Sequence, residues 1–121
     1  MKRALIVVAL LLVGQASAEE RFHCNLHALT KAERLRDREL AQQLHAVLLE
    51  HKELPEGYAL RFTGAELPRV AEWLAIISKC CQPIDYQLQL GPQPGGPLWL
   101  RISGGEGAKE FLKGEFETLL N

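Results

Sequence analysis

The chain has 121 residues, with 14 Lys and Arg against 15 Asp and Glu and a formal charge of −1. A chain of this length forms one core, and a near-neutral charge offers no broad cationic surface to nucleic acid. The densest basic run, within residues 31–39, is interleaved with Glu33, Asp37 and Glu39, which is typical of a solvated helix face. The sequence therefore predicts no nucleic-acid partner.

The first residues have the order of a cleavable signal peptide. Lys2 and Arg3 precede the apolar run Ala4–Val13, and Ala16–Ala18 supplies the small residues that a signal peptidase reads. An apolar run of ten residues rises only about 15 Å as a helix, about half of a bilayer core. We therefore expect residues 1–18 to be removed and residues 19–121 to work in the bacterial periplasm or outside the cell, without membrane attachment. The formal charge of that part is −3, because Lys2 and Arg3 are lost.

The first half of the mature chain predicts a long helix followed by a hairpin. Thr30 and Glu33 have the spacing of a capping box, which opens a helix to about Leu49. Tyr58–Phe62 alternates between apolar and small or polar residues, as a half-buried strand does. Residues 51–54 are expected to pair with this strand across a Pro-Glu-Gly turn.

The second half predicts a helix, a hairpin and a final helix. Thr63 begins a second capping-box pattern, and the helix should end by about Cys81 because Pro83 disfavours helical geometry just before it. Ile84–Leu90 and Leu98–Ile102 alternate strictly, which predicts an antiparallel hairpin with one face on the core. The final helix is indicated by Phe111, Leu112, Phe116, Leu119 and Leu120.

The predicted element order is α-β-α-β-β-α. This order predicts an α+β fold, a two-layer sandwich with a small, largely antiparallel sheet and helices on one face. It would resemble a ferredoxin-like unit that lacks its last strand and gains a helix in front. The solvent side of the sheet would then present Asp85, Gln87, Gln89, Trp99 and Arg101.

Three cysteines are the most informative residues for chemistry: Cys24, Cys80 and Cys81. A bond between the two neighbours would distort the peptide, so Cys24 is the natural partner for either of them. An odd count leaves at least one thiol outside any internal bridge. Three interpretations stay open, namely a structural disulfide with one buried free thiol, a thiolate metal site, and thiols that only fill apolar space.

The metal interpretation has four candidate ligands. Cys24 and His27 are three residues apart, a spacing that can place both on one ion if the segment turns. With Cys80 and Cys81 they would supply three sulfurs and one nitrogen, enough for a tetrahedral site. Soft thiolates select ions such as Zn(II), Cu(I) or Hg(II).

Several stretches together resemble a family of small bacterial proteins of uncharacterised activity. They are Phe22–Leu26 with the following Ala-Leu-Thr, the Glu-Leu-Pro-Glu-Gly-Tyr segment at 53–58, Cys80-Cys81, and Gly-Pro-Leu-Trp-Leu-Arg-Ile at 96–102 with a later Gly-x-Glu-Gly. Members typically read Cys-Cys-Pro-Phe, whereas Gln82 intervenes here. The resemblance implies a single domain and no known reaction. Many members lack a signal peptide, and a cysteine pattern shared between compartments fits a metal or redox-active set better than a purely structural disulfide.

Our leading hypothesis is a non-enzymatic exported domain whose cysteines bind a soft metal ion or respond to oxidation. One alternative is a disulfide-stabilised module that binds a protein of the cell envelope through Trp99 and Arg101. A thiol oxidoreductase ranks below both, because Cys80 and Cys81 close a helix whose C-terminal dipole disfavours thiolate. Lys79 is the one adjacent positive charge. No sequence feature specifies the oligomeric state.

Overall fold

The computed structural model describes residues 22–121, and the predicted signal peptide lies outside this range. The strands are β1 (His23–Cys24), β2 (Glu50–Leu54), β3 (Gly57–Thr63), β4 (Cys81–Gln82), β5 (Asp85–Leu90) and β6 (Pro97–Ser103). The helices are α1 (Lys31–Val47), α2 (Leu67–Ile77), α3 (Ala108–Glu115) and α4 (Glu117–Leu120). The predicted α+β class is confirmed.

The main sheet has the strand order β2-β3-β6-β5, and every neighbouring pair is antiparallel. Since β3 and β5 both run antiparallel to β6, they are parallel to each other with β6 between them. The β3-α2-β5 segment is therefore a split β-α-β unit. The expected pairing of residues 51–54 across the turn is confirmed, and β2 occupies the position beside β3 that a final ferredoxin-like strand would take.

One face of this sheet packs against the helices and forms the core. Leu60 lies opposite Leu100 and Phe62 lies opposite Leu98 across the β3-β6 pair, and all four side chains are fully buried. Burying side chains of this size stabilises the fold by about 1.5–3 kcal/mol each. The helices contribute further fully buried or nearly buried residues, namely Leu40, Leu44, Val70, Trp73, Ile77, Leu112 and Leu119.

The edge strand β5 departs from its predicted burial. Its apolar alternation predicts that Ile84, Tyr86, Leu88 and Leu90 all face the core. Tyr86 is half-buried, but Leu88 and Leu90 remain 39% and 50% exposed. Alternation identifies the face of a strand that points to the helix layer, and it does not show whether helices extend over that strand.

The two capping boxes have different outcomes. The Thr30 Oγ1 atom accepts a hydrogen bond from the Glu33 N–H at 3.1 Å, and Glu33 Oε1 accepts one from the Thr30 N–H at 3.0 Å. Thr63 makes no such bond, so the second predicted box is wrong. Thr63 is the last residue of β3, paired with Pro97, and a 3₁₀ turn at residues 64–66 separates it from α2.

Both remaining helix predictions need adjustment. The helix predicted to end by about Cys81 ends at Ile77, and Cys81 begins β4 instead. The predicted final helix is two shorter helices that meet at Phe116, whose backbone leaves the helical region.

Within residues 22–121, no helix has the length and apolar character needed to cross a bilayer.

We predict that Thr30→Ala and Thr63→Ala have different effects on stability. Loss of the Thr30 hydroxyl should lower the free energy of unfolding by about 1 kcal/mol, because the Glu33 N–H loses its acceptor. Thr63→Ala should change it by less than about 0.5 kcal/mol. Urea denaturation of both variants measures this, and equal losses would contradict the assigned start of α2.

Candidate functional site

Cys24 and Cys81 form a disulfide in a short ladder at the beginning of the described chain. Strand β1 pairs antiparallel with β4, and Cys24 lies directly opposite Cys81. The Asn25 N–H donates to the Cys80 carbonyl at 2.8 Å, which extends the contact beyond the strands. The prediction that Cys24 pairs with one of the two neighbouring cysteines is thus confirmed.

Cys80 is the free thiol of the cluster, and it is only 3% exposed. Its Sγ atom lies 3.5 Å from the Cys81 Sγ atom and 3.4 Å from the Ile77 carbonyl oxygen, to which the thiol donates. The structure therefore contains a disulfide with one buried free thiol, the first of the three interpretations.

The fold brings the three sulfur atoms together within 4.8 Å of one another. This proximity arises from distant segments, because 57 positions separate Cys24 from Cys81. The cluster does not include His27, the fourth predicted ligand. His27 is exposed in a 3₁₀ turn, where its backbone N–H donates to Asn25 Oδ1 at 3.1 Å.

The surroundings of Cys80 favour the protonated thiol. Burial raises the pKa of the Cys80 thiol, and the carboxylates of Asp37 and Glu115 raise it further. Lys79, the adjacent positive charge, does not oppose this effect. Its Nζ atom instead donates to Glu33 Oε2 on α1 at 2.6 Å. A buried protonated thiol is a poor nucleophile, so the Cys80 thiol is expected to be unreactive while the disulfide is intact.

A cavity of about 200 Å³ adjoins the cysteines. It lies among α1, α2 and the C-terminal helices, and Cys80 and Cys81 form part of its wall together with Trp73. Its lining also includes two acidic side chains, Asp37 and Glu115. The cavity therefore places these two acidic side chains, and the basic side chain of Arg38, near the cluster.

The sequence did not identify these two acids as part of the site. The charge pattern predicts Asp37 on a solvated helix face, whereas its carboxylate accepts a hydrogen bond from the Trp73 indole at 2.9 Å. Burial raises the pKa of Asp37 and of Glu115, and the Asp37 charge adds to the shift at Glu115. They lie in α1 and α3, and no spacing in the sequence relates them.

Tyr86 adds an unsatisfied polar atom. Its hydroxyl is buried and has no hydrogen-bond partner. Burial raises the pKa of this phenol, and the charges at Cys80 and Asp37 raise it further. A buried polar atom without a partner costs about 1–3 kcal/mol, so a ligand that reaches it would gain a hydrogen bond.

Comparison of the chain with protein-family models, curated proteins and solved structures finds no match in any of the three. The site and the fold therefore define the class of protein directly, as a small α+β domain with one disulfide and a three-cysteine cluster.

We predict that Cys80 resists alkylation in the folded, oxidised protein and reacts once urea unfolds the chain. Burial limits access, and the raised pKa of the thiol reduces the fraction of reactive thiolate. Mass spectrometry after iodoacetamide treatment counts the label, and Cys80→Ser should take none in either state. Labelling of folded protein at the rate of a free cysteine would contradict this assignment.

Proposed function

We propose that this domain binds a soft metal ion through the reduced thiols of Cys24, Cys80 and Cys81, in the periplasm or outside the cell. The disulfide form is its oxidised resting state. The observation that supports this proposal is the mutual approach of the three sulfur atoms within 4.8 Å.

The spacing of the sulfurs suits a shared ion. Thiolates bound at about 2.3 Å in a tetrahedral arrangement lie about 3.8 Å apart. The sulfurs of Cys80 and Cys81 are already 3.5 Å apart, so they need little adjustment. Once the disulfide is reduced, the sulfurs of Cys24 and Cys81 must separate, while the β1-β4 ladder still aligns their backbones.

The donor set favours ions that accept three sulfur ligands. Cu(I) and Hg(II) form stable three-coordinate thiolate complexes, and thiolate is the softest ligand that a protein offers. Zn(II) needs a fourth ligand to complete its tetrahedron. His27 is outside the cluster, so its turn would have to rearrange before it could supply that ligand.

Activation requires a reductant of the dithiol class, such as a thiol–disulfide oxidoreductase of the envelope. Its thiolate attacks the Cys24 sulfur, because Cys24 is half-buried while Cys81 is almost completely buried. The dithiol transfers two electrons and two protons and becomes a disulfide, and Cys24 and Cys81 become thiols. The cluster then has three thiols.

Proton competition makes the proposed binding depend on pH. The ion binds thiolate, so each thiol releases its proton on binding. Because the pKa of Cys80 is raised, affinity should increase as pH rises toward that pKa, and it should be lost in acid. Asp37 and Glu115 line the cavity beside the cluster and would attract the cation.

The thiol oxidoreductase hypothesis finds less support. Such enzymes need a thiol whose pKa is lowered, and the pKa of Cys80 is raised by burial. The cluster can respond to reduction without catalysing it, which favours a non-enzymatic role.

We predict that the protein, reduced with a phosphine under anaerobic conditions, binds one Cu(I) or Hg(II) per chain. The oxidised protein should bind either ion far more weakly, because two of its sulfurs are joined and the remaining thiol, Cys80, is buried. Cys80→Ser should weaken binding by more than about a hundredfold. Loss of a group that only hydrogen-bonds a ligand already costs about 10–100-fold in metal affinity, and loss of a ligand itself costs more. Chelator competition measures the affinity, and native mass spectrometry measures the stoichiometry.

His27→Ala is the matched control. It should leave Cu(I) affinity unchanged, and it should weaken only Zn(II) binding if His27 is recruited as a fourth ligand. Wild-type affinity in Cys80→Ser, or equal binding by oxidised and reduced protein, would rule out the three-thiol site.

A second candidate function, a protein-interaction module, is favoured by the outer face of the sheet. The Lys52 Nζ atom lies 4.9 Å from the centre of the Trp99 ring, and Arg101 is exposed beside it. A shallow depression of about 270 Å³ joins these side chains. Cationic and aromatic groups in one depression suit an acidic segment of a partner protein.

If the module hypothesis holds, wild-type protein should crosslink to a defined envelope protein, and Trp99→Ala/Arg101→Ala should not. Gln87→Ala, on the same face, should crosslink as wild type does. The absence of any product that depends on Trp99 and Arg101 would remove this candidate.

A further inference from the structure

Strand β5 is one of the two edge strands of the main sheet within residues 22–121, and it lacks the features that usually protect an edge. Its sequence, Asp-Tyr-Gln-Leu-Gln-Leu, contains one charge, at its first residue, and no proline. Leu88 and Leu90 are exposed on its helix-layer side. Proteins normally block such edges with lysine, proline or a bulge.

The backbone of β5 presents a free row of hydrogen-bonding groups. The Gly91 N–H donates to the Pro97 carbonyl at 2.9 Å, which continues the β5-β6 register and marks the odd-numbered residues as those bonded to β6. Hydrogen-bonded and non-bonded pairs alternate along an antiparallel ladder. The N–H and C=O groups of Tyr86, Leu88 and Leu90 therefore point away from β6, toward the open edge.

We propose that two copies of this chain dimerise by antiparallel pairing of their β5 strands about a two-fold axis at Leu88. Leu88 then lies opposite Leu88 of the second copy, and Tyr86 lies opposite Leu90 of the second copy. The outward groups of these residues complete the ladder. The two sheets join into one eight-stranded sheet with all helices on the same side.

The register is self-complementary in both polarity and charge. Gln87 pairs with Gln89 of the second copy on the outer face, and the apolar residues pair on the helix-layer face. Asp85 lies opposite Gly91, so the two Asp85 carboxylates are separated by about six residues, or roughly 20 Å. No charge opposes another of the same sign.

The opposite edge of the sheet is unsuited to the same pairing. Strand β2 has charges at Glu50, Lys52 and Glu53, and a two-fold axis at Lys52 would place two lysines opposite each other. These side chains also have partners within the monomer. Glu50 bonds Arg61 at 2.7 Å and Glu53 bonds Lys109 at 3.0 Å. Pairing through β5 alone gives a closed dimer and not a filament.

Sedimentation equilibrium of the oxidised protein tests this proposal. Wild type should show a monomer–dimer equilibrium, and Leu88→Lys should weaken dimerisation by about tenfold or more, because two lysines then oppose each other and apolar contact is lost. Leu35→Lys is the matched control, since Leu35 is 47% exposed on α1, away from β5. It should dimerise as wild type does.

A charge-reversal pair tests the two-fold axis itself. Leu88→Glu should weaken dimerisation in the same way, and an equimolar mixture of Leu88→Glu and Leu88→Lys should recover a dimer that contains one chain of each. A wild-type protein that stays monomeric throughout the accessible concentration range would overturn the proposal. A dimer that tolerates Leu88→Lys would also overturn it. So would the finding that the β5 edge pairs with a peptide of a different protein and not with a second copy of this chain.

Discussion

The bond between Cys24 and Cys81 is the covalent link among the contacts that hold the N-terminal segment on the core. Residues 22–29 contribute two almost completely buried side chains, Phe22 and Leu29, and Phe22 stacks on Phe111 with ring centres 5.8 Å apart. The ladder between β1 and β4 has only two residue pairs, too few to hold a segment alone. In the chain-entropy account, closing a loop of 57 residues stabilises the fold by about 4 kcal/mol.

The same bond also determines the chemistry of the cluster. While it is intact, two sulfurs are unavailable as ligands and Cys80 is a buried thiol of raised pKa. In the proposed function, stability and metal binding are therefore opposed. The Phe22 stack and the donation from Asn25 to the Cys80 carbonyl do not depend on the disulfide, so they can hold the segment near the cluster when it is reduced.

Much of the fold could be predicted from the sequence because its signals are local. The β5-β6 hairpin and the Thr30 capping box were each predictable from residues within one element, and each is confirmed, although Leu88 and Leu90 are not buried as the alternation predicts. The Thr63 box is wrong because pairing with Pro97 on β6, a non-local interaction, keeps Thr63 in the strand. At the site, pairing of Cys24 could be predicted from peptide geometry. Asp37, Glu115 and Tyr86 could not, because only packing brings them near Cys80.

The position of Cys80 next to Cys81 is informative because a structural disulfide does not require it. A bridge between Cys24 and Cys81 needs two cysteines, and an apolar residue of similar size would fill the space at position 80 without a titratable group near Asp37 and Glu115. A thiol there is kept protonated by burial and by two carboxylates, an arrangement that disfavours nucleophilic attack. A cation in contact with the sulfur would reverse this balance, because its positive charge stabilises the thiolate and offsets both carboxylates. The environment that keeps the free Cys80 thiol protonated and unreactive is thus the one in which a bound cation would change its protonation state most.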